Sequence, residues 1–150
     1  MTTPAELYAP FRPRAARWVS LALLVATAIG TVALVVVMNV SDLGMSLADS
    51  MGTVAIGALI AWFCYRQATV AALPDTAGVT VRNLIVVRRL GWAEVVTVRY
   101  GDGRSWAQLD LADGDTIAVM GIQRADGDLA EREARRLATL VAIHEARNPN

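Results

Sequence analysis

Residues 18–38, WVSLALLVATAIGTVALVVVM, contain no charged side chain. As an α-helix rising about 1.5 Å per residue, the run extends roughly 31 Å, the thickness of a bilayer's hydrocarbon core. A second uncharged run, residues 51–65 (MGTVAIGALIAWFCY), reaches spanning length only with its flanks. Leu47 and Ala48 precede it. Arg66 can snorkel while the helix continues through Ala68, Val70, Ala71 and Leu73. The pattern predicts transmembrane helices over 18–40 and 50–73, joined by an external loop, 41–49.

Arg12, Arg14 and Arg17 precede the first run and Arg66 follows the second, whereas the loop carries Asp42 and Asp49. This bias places both termini in the cytoplasm of a two-pass bacterial plasma-membrane protein. A cleaved signal peptide would need an apolar core of about 7–15 residues and a small-x-small cleavage site. The run is longer, and Val40-Ser41-Asp42 offers no such site, so a retained helix is expected. Residues 1–17, with three prolines, read as a disordered cytoplasmic tail.

Small residues recur every four positions at Ala22, Ala26 and Gly30, and at Thr53, Gly57 and Ala61. Such stripes let helices approach closely in lipid, either against each other or against a partner helix. No Asp, Glu, Lys, Arg or His lies in either membrane core, which disfavours a proton relay or an ion pathway.

The chain has 150 residues, 55% of them apolar, and a formal net charge of zero. All 14 basic residues are Arg, and no basic field is present to recruit nucleic acid. The single Cys, Cys64, cannot form an intramolecular disulfide.

From Pro74 onward the pattern shifts to short β-prone segments between turn residues. Strands are expected over 79–81, 84–89, 95–100, 107–111 and 116–120, with Asn83 and Asp113-Gly114 as turns. Asp128 and Glu131 suggest a capping box opening a helix. In that helix Ala134, Leu137, Leu140 and Val141 form the apolar face, and Asn148-Pro149 ends it. The fold class is a membrane α-helical hairpin plus an α+β or mainly β domain, a small antiparallel barrel or sheet covered by its C-terminal helix.

Residues 78–83 (GVTVRN), residues 88–95 (RRLGWAEV) and the later Leu109-x-Leu111-x-Asp113-Gly114 hairpin carry a resemblance. They are similar to the actinobacterial PH-domain proteins called low-molecular-weight protein antigen 6, which join a two-helix membrane hairpin to a bacterial pleckstrin-homology-like domain. The resemblance implies a PH-like domain over 74–150, a partly open β-barrel closed by a C-terminal helix. Gly78, Asn83, Trp92 and Gly114 are then structural positions. It transfers no catalytic residue and no cofactor.

Arg82, Arg88 and Arg89, with Trp106, are the candidate lipid-facing or partner-facing surface. Alternatively these arginines, with Arg99, are a solvated sheet face paired with acids such as Asp110, Glu94 or Asp102. The domain from residue 74 has 10 Arg against 11 acids, so no strong field singles them out. Trp92 is expected to close the core, its indole nitrogen bonded to a backbone carbonyl. Ala-Asp-Gly-Asp occurs at 112–115 and 125–128, where a hairpin turn and a helix cap are expected rather than calcium loops. His144, the one histidine, falls in the last helix, where packing or surface is the expected role. No nucleophile motif or phosphate-binding loop is present, so no enzyme activity and no metal are expected. The sequence points to a membrane-anchored binding or adaptor protein with a protein-interaction or accessory-subunit role. Its partners would be membrane lipids and another membrane protein. The alternative is an anionic-lipid-binding module at the membrane surface.

Overall fold

The long apolar runs become two helices, α2 (Arg14–Val40) and α3 (Leu47–Ala68), preceded by one short turn of helix, α1 (Pro4–Leu7). The computed structural model describes residues 4–41, 46–101 and 103–147; Asp42, Asp102 and Asn148-Pro149 lie outside the described residues. The chain divides into a helical unit, residues 16–68, and a second unit made of residues 1–15 together with 69–150.

In the helical unit, α2 and α3 are both long and apolar enough to cross a membrane. Ser46 and Asp49 form a reciprocal cap at the start of α3. The Asp49 amide donates to Ser46 Oγ at 3.3 Å, and the Ser46 amide donates to Asp49 Oδ2 at 2.8 Å. This cap starts the helix at Leu47 rather than residue 50. The helices meet where Thr31 packs onto Gly57, and Thr27, Gly30, Thr53 and Ile56 line the groove beside that contact. Part of each small-residue stripe therefore faces the other helix.

The expected second span over 50–73 is too long. It ends at Ala68, and Ala71–Pro74 forms strand β1. Sheet pairing overrides helical propensity here, because Ala72 pairs with Val81 and Leu73 with Thr80 of β2.

The second unit holds two three-stranded antiparallel sheets. One has the order β1, β2 (Gly78–Arg82), β3 (Val87–Gly91). The other has the order β4 (Val95–Arg99), β5 (Trp106–Leu111), β6 (Thr116–Gln123). β5 alternates as its sequence requires: Ala107, Leu109 and Leu111 are buried, and Gln108 and Asp110 are half-buried. At Gly121 of β6 the second sheet packs closely on β1 and on Phe11, since a Cβ there would stand 2.8 Å from both the Ala72 nitrogen and the Phe11 oxygen. Gly78 has the same constraint, because a Cβ would collide with the Leu90 carbonyl across the strand pair.

Helix α4 (Asp128–Arg147) covers the sheets with Ala130, Ala134, Leu137, Leu140 and Val141, all buried in a core shared with Val79, Val81, Leu90, Leu109 and Ile122. Leu137 and Leu140 are wholly buried. Each such side chain contributes about 1.5–3 kcal/mol of apolar transfer free energy. Asp128 is the first helical residue and not the cap, and the amides of Ala130 and Glu131 reach back to the Gly127 carbonyl. Asp113-Gly114 forms the expected turn, with Asp113 Oδ1 accepting from the Asp115 amide at 3.0 Å.

The disordered tail expected over residues 1–17 is corrected by the structure. Residues 4–13 run across the domain as a strap, and Phe11 is the largest wholly buried side chain. Phe11 and Ala72 exchange both backbone hydrogen bonds, at 2.8 and 2.9 Å. The Arg136 guanidinium lies 3.9 Å from the Phe11 ring centroid. It donates to the carbonyls of Glu6, Leu7 and Ala9, and it pairs with Glu133. The amides of Arg14 and Ala15, at the start of α2, donate to the Asp126 carboxylate at 2.9 and 2.8 Å. The second Ala-Asp-Gly-Asp copy thus caps a helix, but that helix is α2, through Asp126.

Candidate functional site

The β2–β3 hairpin carries the arginines singled out from the sequence. Directly opposed residues share a sheet face, and the pairs are Thr80 with Arg89, Val81 with Arg88, and Arg82 with Val87. Arg88 therefore lies on the face of buried Val81, whereas Arg82 and Arg89 lie on the opposite one. Arg88 reaches Asp113 and Asp115 of the β5–β6 turn at 3.9 and 3.6 Å. Arg89 donates to Asp75 at 2.9 Å. Such exposed pairs are worth about 0–1 kcal/mol each. Arg82 is exposed and has no acidic partner among the described residues. The three do not form one patch. Arg99 pairs with Asp110 at 2.6 Å, one of the acids the sequence suggested for it.

Between Arg82 and Arg88 the chain departs from its expected reading. The strand expected over 84–89 begins only at Val87, and residues 84–86 make the hairpin tip. Ile85, Val86 and Val87 are 78%, 59% and 54% exposed. Asn83 fixes the base of this tip. Its backbone amide donates to the Val86 carbonyl at 2.9 Å. Its side-chain amide donates to the Ala118 carbonyl at 2.7 Å and accepts from the Met120 amide at 3.2 Å. The hairpin is thereby bound to β6.

Trp92 is buried in the short turn after β3, and its indole nitrogen donates to the Asp75 carbonyl at 2.9 Å, the kind of bond expected for it. Asp75 also accepts from the Ala77 and Gly78 amides. The Ala77 bond does most to hold its carboxyl below the usual range, and the Gly78 amide and the Arg89 guanidinium add to it against some desolvation. Trp92 stacks on His144, with ring centroids 4.9 Å apart and planes within 5°. His144 Nε2 lies 2.8 Å from the Tyr8 hydroxyl, so the strap, the β3 turn and α4 meet at one imidazole.

Burial lowers the His144 pKa, and the nearby Arg147 charge lowers it further. The folded state then binds a proton less readily than the unfolded chain. Its stability is complete above the ordinary histidine value of about 6.5 and declines as pH falls through that value. We expect denaturation midpoints of the full chain to drop between pH 7 and pH 5, and His144→Gln to flatten that slope. An unchanged slope in the variant would contradict it.

A second surface lies between the edge of β4 and α4. β4 pairs with β5 on one side, and no described strand pairs with the other. There Val98, Tyr100 and Gly101 face Ala134 and Ala138 across a groove of about 380 Å³, with Glu131 and Arg135 also lining it. Trp106, at the start of β5, is half-buried opposite Gln123 and is not among the residues lining this groove. Among the described residues no cluster of three or more His, Cys, Asp or Glu could hold a metal ion. The sequence reading missed the groove beside β4, the apolar tip of the hairpin and the strap. The signal for the strap was the apolar content of Leu7, Tyr8 and Phe11, unusual for a disordered segment.

Residues 69–139 match the model of the bacterial PH domain family. Uncharacterised proteins of Mycobacterium tuberculosis and Mycobacterium bovis are 37% identical over 95 residues, covering 63% of this chain. The chain spans 62% of the length of these relatives. No solved structure matches. The family match begins at the β domain and leaves out the strap, which is nevertheless part of its core.

Proposed function

We propose that this chain is a membrane-anchored adaptor, in which α2 and α3 cross a bacterial plasma membrane and the PH-like domain captures a protein partner on the cytoplasmic side. The observation that carries this reading is that residues 4–15 and 69–147 build one domain. Both ends of the helical unit are thereby committed to the same side of any membrane it crosses. Cleavage of the first apolar run as a signal peptide would remove Phe11 from the core, so the strap supports a retained helix. The large apolar side chains exposed along both helices, among them Trp18, Ile29, Val32, Leu59 and Trp62, would be costly in water and are at home in lipid. This two-helix architecture is also that of the antigen 6 proteins the sequence resembles.

The groove beside β4 supplies a place for the partner. An edge strand offers unpaired backbone donors and acceptors, and the apolar walls from Val98, Tyr100 and Ala138 can take alternate side chains of an added strand. Tethering raises the effective concentration of such a weak contact, which a short extended segment provides. The test is co-purification of the full chain in mild detergent from its own organism, beside Ala138→Arg. Ala138 is exposed, so the substitution obstructs the groove without entering the core. Partners held by the groove should be depleted at least about tenfold, the loss of roughly 1.4 kcal/mol of binding. Equal recovery with both proteins would exclude the groove.

A further inference from the structure

We propose that the apolar end of the β2–β3 hairpin, Ile85 and Val86 of the tip with Val87 at the start of β3, inserts into the lipid surface of the membrane that anchors the chain. The inference rests on the anchored reading above, and it assigns a lipid contact by apolar insertion rather than by the arginine cluster. Two β-branched aliphatic residues at an exposed turn, Ile85 and Val86, contradict both turn chemistry and burial, and Val87 beside them at the start of β3 is exposed as well. Where a sequence breaks its own local rules, a functional demand is the expected cause. The tip offers neither aromatic rings nor hydrogen-bonding side chains, the groups that dominate protein–protein hot spots. A lipid surface demands only apolar area, and these residues supply it.

Three further observations point to lipid. The Asn83 bonds to Ala118 and Met120 hold the hairpin rigidly, so insertion orders nothing new. Arg82, exposed beside the tip and without an acidic partner among the described residues, is placed for an anionic headgroup, whereas Arg88 and Arg89 are held by Asp113, Asp115 and Asp75. Only Thr69 and Val70 separate α3 from β1, so the domain is tethered to the second apolar helix by two residues. Because only Arg82 of the three hairpin arginines has no acidic partner among the described residues, binding should be weakly salt-dependent, unlike that of a polybasic surface.

The test uses the full chain with Cys64→Ala, reconstituted in phosphatidylethanolamine–phosphatidylglycerol vesicles, with a nitroxide attached at Ile85→Cys, Val32→Cys or Arg132→Cys. Collision with oxygen against a water-soluble nickel chelate reads depth. The label at 85 should favour oxygen several-fold over the label at 132, at an interfacial depth of about 5–10 Å, and hold that depth in high salt. Adding Val86→Asp should return it to water. A label at 85 as wet as the one at 132, with the label at 32 deep, would overturn the insertion alone. A wet label at 32 would overturn the anchor and the insertion with it. Protection at 85 that appears only in native membranes would overturn the lipid assignment in favour of a protein.

Discussion

Phe11→Ala is expected to destabilise the PH-like domain by about 3–5 kcal/mol, a large part of the roughly 5–15 kcal/mol that holds a domain of this size. The ring is wholly buried between β1, β6 and α4, in the same core as Ala72, Ile122 and Leu137. Its removal leaves a cavity that the strap cannot close, because the backbone on either side of the ring is fixed. The bonds between Phe11 and Ala72 hold one side, and Pro13, also wholly buried, holds the other. The Arg136 guanidinium would also lose the ring face beneath it while still bound to the strap carbonyls. Hydrogen exchange of the full chain in detergent micelles reads the effect. Amides of β1, β2 and α4 should exchange faster by orders of magnitude while those in the middle of α2 and α3 are unchanged. A loss below about 1 kcal/mol, the size of an ordinary surface substitution, would mean that the strap is dispensable.

Much of the second unit was legible because local pattern and final environment agree. β5 alternates, Asp113-Gly114 turns, and α4 presents Ala134, Leu137, Leu140 and Val141 on one stripe. Trp92 bonds a backbone carbonyl because a buried indole must find an acceptor. The errors have a common physical origin, in that partners distant in sequence decided the local structure. Ala71 and Leu73 read as the end of a helix until β2 claims their backbone. Residues 4–13 read as a tail until Arg136, more than a hundred positions away, gathers their carbonyls. Residues 84–86 read as strand by β-propensity, yet the Asn83 amide closes onto Val86 and turns the chain there. The arginines could not be assigned to faces without the pairing register, which sets Arg88 opposite Val81 and so away from Arg82.

These features converge on one architecture, a two-helix segment whose two ends are built into a single domain. That arrangement is tested most directly by sidedness in intact cells of the source organism. In a Cys64→Ala background, Ser41→Cys sits just past the end of α2, and Ala146→Cys sits exposed near the end of α4. A membrane-impermeant maleimide added outside should label position 41 and leave position 146 untouched until the cells are permeabilised. Labelling of position 146 in intact cells, or equal protection of position 41 before permeabilisation, would contradict a cytoplasmic domain held by two membrane passes.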